Sequence, residues 1–282
     1  MLNRQPIERQ SVQNTKRAKS GHILILAMAS LAITSCGQRQ QTSRVFVTNG
    51  SEASPDSYPS VVKIMRQESE SNPVLCTGTF ISSYAILTAA HCNGNQAKPT
   101  FDIVWTDYEG NSITGTSDVS EVHPLFANDK RIHPNDLMVI KLLFEGKATP
   151  QPSVITSTPV SINQQVTLVG FGNDKNFEQD GNLTGSGDGT KRIGTNKVYT
   201  TMRSGLIVVS GDPGGYNTTE NTSVTGNGDS GGPLFVDGNL AGITVGGALL
   251  KHPSTSKMRA VSYFVDLTKI ENLNFVDSQL EE

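Results

Sequence analysis

Gly228-Asp229-Ser230-Gly231-Gly232-Pro233 sets one hydroxyl among three glycines. Glycines adopt backbone torsions closed to other residues and allow another chain to come close. An ordinary glycine-rich turn needs nothing so particular. A serine hydroxyl at neutral pH is a poor nucleophile, so it needs a base within hydrogen-bond reach and a third group that holds the base in one tautomer. Those partners must come from elsewhere in the chain.

Upstream, Leu87-Thr88-Ala89-Ala90-His91-Cys92 is a short apolar segment that ends on a histidine and runs into the polar loop Asn93-Gly94-Asn95-Gln96. A lone histidine at a strand end is more often structural than catalytic. Between the two segments, Asn135-Asp136-Leu137-Met138-Val139-Ile140-Lys141-Leu142 is nearly continuous in apolar residues, the pattern of a strand buried on both faces, with an acid at its mouth. A carboxylate there is costly to bury without a hydrogen-bond donor, and an imidazole N–H would serve. The segments follow one another as histidine, aspartate, serine, 45 and then 94 residues apart.

TAAHC, NDLMVIKL and GDSGGP, in that order, resemble the trypsin/chymotrypsin family of serine proteases. The resemblance runs from about Val47 to Val276. It implies an all-β fold of two six-stranded antiparallel barrels, divided near residue 150, and the C-terminal Leu267 to Leu280 reads as a short helix docking on the second barrel. It also implies that His91 is the general base, Asp136 orients it, and Ser230 attacks the scissile carbonyl. The N–H groups of Gly228 and Ser230 would form the oxyanion hole. Cys76 and Cys92 match the family's disulfide bracing the histidine loop. Cys76-Thr77-Gly78-Thr79-Phe80-Ile81 resembles the strand leading to it, and Val169-Gly170-Phe171-Gly172 a segment opening the second barrel.

Family members usually begin, after activation, with an aliphatic residue whose new ammonium pairs with the acid beside the nucleophile. Asp229 is that acid, and Val47-Thr48-Asn49-Gly50 is the nearest match to the new N-terminus. Cleavage would fall after Phe46, or after Arg44 with two residues to spare. Either cut would also release the enzyme from the lipid anchor described below. An anchored active form would need another way to satisfy Asp229.

The residue six before the serine, Val224, floors the specificity pocket by resemblance. A neutral floor cannot pair a buried ammonium or guanidinium, so cleavage after Lys or Arg is not expected and apolar or small side chains are favoured. Val245, Gly246 and Gly247 correspond to the strip that pairs with substrate backbone as an added strand. Gly246 stands where many members carry tryptophan, which predicts a shallower pocket.

Composition agrees with an all-β fold. The 282 residues are 35% apolar and 17% charged, with net charge −3, 27 Gly and 13 Pro. The chain is long enough for a sizeable core, has no basic surplus for nucleic acid, and has many turn signals. Lys16, Arg17 and Lys19 precede an apolar run from Ile23 to Ile33, too short to span a bilayer but suited to a signal-peptide core. Ile33-Thr34-Ser35-Cys36 resembles the bacterial lipobox, with Cys36 lipidated. Residues 1–36 are thus read as the signal and 37–46 as a tether, in a bacterial envelope lipoprotein or a protein secreted after the tether is cut. Plain secretory cleavage after Ser35 would leave Cys36 as a thiol. Of the three cysteines, Cys76 and Cys92 then remain as an even pair, and an oxidising compartment favours a disulfide over two free thiols.

Gly172 to Gly194 reads as a long polar surface loop, and its acids Asp174, Glu178, Asp180 and Asp188 lack EF-hand spacing. Neither a metal nor a cofactor is called for, and the expected partners of a monomer are protein or peptide substrates. The competing reading from another class is a catalytically silent homologue used as a surface binding module. Such proteins usually lose a member of the triad.

Overall fold

The computed structural model describes residues 47–281 except 48–49, 55, 68–72, 95, 130, 143–147, 180–181, 188, 212–222 and 252–257. The expected signal with Cys36, the tether, and the bonds after Arg44 and Phe46 lie outside the described residues, as do Asp180 and Asp188.

In chain order the first strands are β1 (Ser51–Glu52), β2 (Val61–Arg66), β3 (Val74–Phe80), β4 (Ala85–Thr88), β5 (Phe101–Thr106), β6 (Ser112–Ser117), β7 (Ser120–Val122) and β8 (Met138–Lys141). There follow β9 (Gln165–Gly170), β10 (Lys175–Gln179), β11 (Asn182–Ser186), β12 (Arg192–Met202), β13 (Leu206–Gly211), β14 (Pro233–Val236), β15 (Asn239–Lys251), β16 (Met258–Asp266) and helix α1 (Ile270–Leu280). Alternation drives the strands: β5 turns Phe101, Ile103 and Trp105 into the core and leaves the residues between them half-buried. By contrast β4 and the first three residues of β8 are buried on both faces, as the apolar run from Leu137 predicted.

Among the described residues the named strands all pair antiparallel, and an isolated bridge, Ile155 to Leu240, is parallel. The second sheet closes on itself as β9-β12-β13-β16-β15-β14, a six-stranded barrel with β1 added outside β12. The first sheet runs β6-β5-β2-β3-β4-β8-β7, seven strands curled into a half-barrel with open ends. The two-barrel, all-β architecture is therefore present, with the first barrel open. Phe80 and Trp105 meet edge to face at 5.8 Å in the first sheet, and the same apolar cluster continues through Phe235, Leu240 and Ile243 to Phe275 and Val276 of α1.

Helix α1 follows the second barrel yet is tied to the first. Tyr84 Oη–H donates to the Leu280 carbonyl at 2.9 Å. Burial holds the His123 imidazole below its ordinary pKa range, and its Nε2 lies 3.4 Å from the Glu271 carbonyl while Leu125 N–H donates to its Nδ1. A neutral ring with the proton on Nε2 meets both needs.

The Gly172–Gly194 segment is not simply a surface loop. It contains the hairpin β10–β11, paired from Lys175↔Ser186 to Gln179↔Asn182, and its last residues already belong to β12. Main-chain pairing builds this two-stranded ribbon, and a polar, glycine-rich composition carries no periodic signal from which to foresee it.

Cys76 of β3 and Cys92 of the histidine turn form a disulfide, with sequence separation 16 and Cα atoms 6.4 Å apart. Closing a loop of this length in the unfolded chain is worth about 3 kcal/mol. Cys76→Ser/Cys92→Ser should lower the free energy of urea unfolding by about that amount. A loss below about 1 kcal/mol would show that the bridge does not constrain the unfolded chain.

Candidate active site

His91 lies in a single 3₁₀ turn, Ala90–Asn93, entered directly from β4. Asp136 precedes β8, which pairs with β4 from Thr88↔Met138 to Ala85↔Lys141, so the two strands deliver histidine and acid to the same end of the sheet. The acid accepts twice from one residue. His91 Nδ1 lies 2.7 Å from Asp136 Oδ2, and His91 N–H donates to Asp136 Oδ1 at 2.8 Å. The Asp136 side chain is 3% exposed and the His91 ring 34%, so the carboxylate is buried behind a ring whose other edge meets solvent.

The loop carrying Asp136 is braced by α1. The Asn272 side-chain amide donates to the carbonyls of Pro134 (3.2 Å) and Asp266 (2.9 Å), and its Oδ1 accepts from the Asn135 amide (3.0 Å). Asn272 is buried, with all three bonds made inside the protein. Asn272→Leu keeps the branched shape but strands three buried polar groups, and should cost about 3 kcal/mol in thermal or chemical unfolding. A change below about 0.5 kcal/mol would mean that water reaches those groups.

Ser230 is held from the first sheet. Thr77 N–H donates to the Ser230 carbonyl at 2.8 Å, and the disulfide sulfur of Cys92, the neighbour of His91, lies 3.8 Å from the same oxygen. Thr77 Oγ1–H donates to the Gly228 carbonyl (2.9 Å), and Oγ1 accepts from Phe171 N–H (3.2 Å). Gly231 takes φ +79°, and a Cβ there would lie 2.0 Å from Thr88 Oγ1 and 2.3 Å from the Thr77 carbonyl oxygen. Only glycine lets the serine loop pass this close to β3 and β4. The N–H groups of Asp229, Gly231 and Gly232 all find main-chain acceptors. Those of Gly228 and Ser230 have none among the described residues.

Asp229 is 1% exposed, and its two oxygens accept from Gly172 N–H and Gly226 N–H, each at 2.8 Å. Burial pushes its carboxyl up to about 6, with the two N–H bonds and the charge of Arg192 pulling the other way. Val47 is buried in the apolar cluster of the second barrel, at φ +34°.

Val224 and Val245 are both buried. The β15–β16 register slips between Thr244 and Gly246, so Val245 sits at a bulge, after which Gly246 pairs with Tyr263 and Gly247 with Ser262. A Cβ on Gly246 would lie 2.5 Å from Ile132 Cδ1. Ile132 of the loop before Asp136 thus lies against Gly246.

Residues 47–268 match the family model described as Trypsin. The chain belongs to the trypsin family. Among curated trypsin-like relatives, mast cell protease 8 of Mus musculus is 29% identical over 232 residues, covering 78% of this chain and 85% of that protein. Kallikrein-4 of Homo sapiens is 25% identical, covering 79% and 82%, and snake venom serine protease 1 of Craspedocephalus gramineus is 25% identical, covering 86% and 90%. Two solved structures share the fold, each with TM-score 0.58. They are neuropsin, a serine protease expressed in the limbic system of mouse brain (20% identity, 82% of this chain and 98% of that one), and human heparin binding protein (18%, 83% and 96%).

The structure joins His91 to Asp136 through β4 and β8 and sets the Ser230 loop against β3 and β4. Reading the sequence missed four supports: Thr77, the Asp229 donors Gly172 and Gly226, the Asn272 brace, and Ile132. Thr77 and Gly172 stand inside quoted family segments, which was a signal for them. For Ile132 and Asn272 the sequence has none.

Proposed function

We propose that this trypsin-family chain is a serine endopeptidase that hydrolyses peptide bonds through an acyl-enzyme. The observation that carries the reading is a buried carboxylate bonded twice to His91, beside a serine loop with two N–H groups free of main-chain acceptors among the described residues. In the reaction Ser230 Oγ adds to the scissile carbonyl carbon as its proton passes to His91 Nε2. The carbonyl oxygen becomes an oxyanion held by Gly228 N–H and Ser230 N–H. Collapse breaks the C–N bond, the leaving amine takes the proton from His91, and water then cleaves the ester by the same route in reverse roles. Asp136 keeps the ring's Nδ1–H pointed at itself, so Nε2 faces the serine, and it stabilises the imidazolium that forms.

Val224 at the floor of the specificity pocket supports a preference for apolar or small side chains over Lys or Arg, with Val245, Gly246 and Gly247 pairing with the substrate backbone. The Ile33–Cys36 lipobox supports a bacterial envelope lipoprotein anchored at Cys36.

The test is a fluorophosphonate, which acylates only activated serines, applied to the purified chain with the adduct mapped by mass spectrometry. A single adduct on Ser230 is expected. A folded chain that takes up no label would leave the silent binding module as the better reading.

A further inference from the structure

Asp229 is peptide-bonded to Ser230 and buried, so whatever fixes its carboxylate also fixes the Gly228 and Ser230 N–H groups on either side. By family resemblance that partner is a new ammonium at Val47. In the uncut chain the Val47 nitrogen is a peptide nitrogen and carries no charge. The sheet itself brings a different cation to the acid.

A Cβ on Gly170 would lie 2.0 Å from Asp229 Oδ1, so the carboxylate occupies the space where a side chain at position 170 would stand. In the β9–β12 ladder Gly170 is the direct partner of Arg192. Directly opposed residues of antiparallel strands project to the same face, with Cβ atoms about 5 Å apart. Arg192 therefore leaves the sheet on the face that holds the carboxylate, and it is buried at 2% exposure, with one Nη1–H on the Thr190 carbonyl at 3.1 Å. Its neighbour Lys191 donates from Nζ to the Tyr58 carbonyl at 3.1 Å, and across the other ladder, β1–β12, Arg192 is paired with the exposed Glu52. A buried carboxylate without a counter-charge is costly and would tend to swing out, taking the serine loop with it.

We propose that Arg192 is a positioning residue that supplies Asp229 with an internal counter-charge, so that the serine loop is set in the uncut chain without a new N-terminus at Val45 or Val47. The proposal rests on the reading of Ser230 as nucleophile. Burial raises the pKa of Asp229 and the charge of Arg192 lowers it, which agrees with the proposal.

The test uses the full chain, fluorophosphonate, intact-mass spectrometry and a peptide substrate. In the wild type, the labelled molecule should still carry the residues upstream of Arg44. Arg192→Lys, which keeps the charge, should label within about 10-fold of wild type, and Arg192→Gln should fall by about 100-fold or more. The shortfall of Arg192→Gln should narrow from about pH 8 to about pH 6, because a protonated Asp229 needs no counter-charge. A merely structural role for Arg192 would not produce that pH dependence. Should Arg192→Gln fail to fold, the intact mass of the labelled wild type and the Arg192→Lys rate decide. Labelling only of molecules cut after Arg44 or Phe46 overturns the proposal and leaves the serine protease standing, as does wild-type labelling by a folded Arg192→Gln. Absence of label in every form removes the nucleophile and the proposal together.

Discussion

Ser230→Ala is expected to lower kcat for peptide hydrolysis by about 10⁶-fold while leaving the fold intact. The substitution removes the attacking oxygen, without which neither His91 nor the paired Asp136 has a proton to handle. Among the described residues, no bond that holds the loop depends on the hydroxyl. The Ser230 carbonyl still accepts from Thr77 N–H, and Gly231 and Asp229 keep their main-chain bonds. Alanine at this half-buried position should change stability by no more than about 0.5 kcal/mol. The remaining rate should still exceed that in water by about 10³-fold, because the N–H groups of positions 228 and 230 continue to stabilise the oxyanion. The check is kcat on a peptide substrate alongside a melting curve. An unchanged melt with more than about 1% of wild-type kcat would place the nucleophile elsewhere.

Asp136→Asn should slow turnover by about 10⁴-fold with the fold kept. The side chain makes two bonds to His91, and an amide can preserve only part of that arrangement. Its oxygen can still accept from His91 N–H, now 2.8 Å from Oδ1, which leaves the 2.7 Å position facing Nδ1 to an NH₂. Two donors cannot share that bond, so the ring would hold its proton on Nε2 and lose the lone pair that must face Ser230. Because asparagine matches aspartate in volume, the apolar packing around β8 is undisturbed. Steady-state kinetics as a function of pH would show the loss, with part of the rate recovered at high pH where hydroxide assists. A wild-type rate would remove Asp136 from the proposed triad.

The parts of the site visible in the sequence are those where chemistry demands one residue type. A carboxylate at the mouth of a buried strand, a histidine at a strand end and a serine among glycines are informative because each is costly or unusual unless it has a partner. The disulfide was legible for a similar reason, since one even pair of cysteines remains once Cys36 is assigned to the export signal. The hairpin β10–β11 was not, because main-chain hydrogen bonds pair any residues with suitable torsions and leave no mark on composition. The open first sheet was likewise beyond reach: whether seven strands close depends on the curl and stagger of the sheet, to which each residue contributes little.

By itself the sequence determined the all-β class, the trypsin-family membership, the order of His91, Asp136 and Ser230, and the neutral floor proposed at Val224. Each is carried by residue identity or by a local pattern. Only the tertiary structure decided what holds those groups in place: Thr77 under the serine loop, Asn272 of α1 under the aspartate loop, Gly172 and Gly226 on Asp229, Arg192 opposite Gly170, and Ile132 over Gly246. Apart from Gly226, three residues from Asp229, these are contacts between segments far apart in the chain, made by main-chain groups or by side chains whose partners only the fold supplies. Their energies arise when folding brings two surfaces together, and neither surface alone carries a sign of the other.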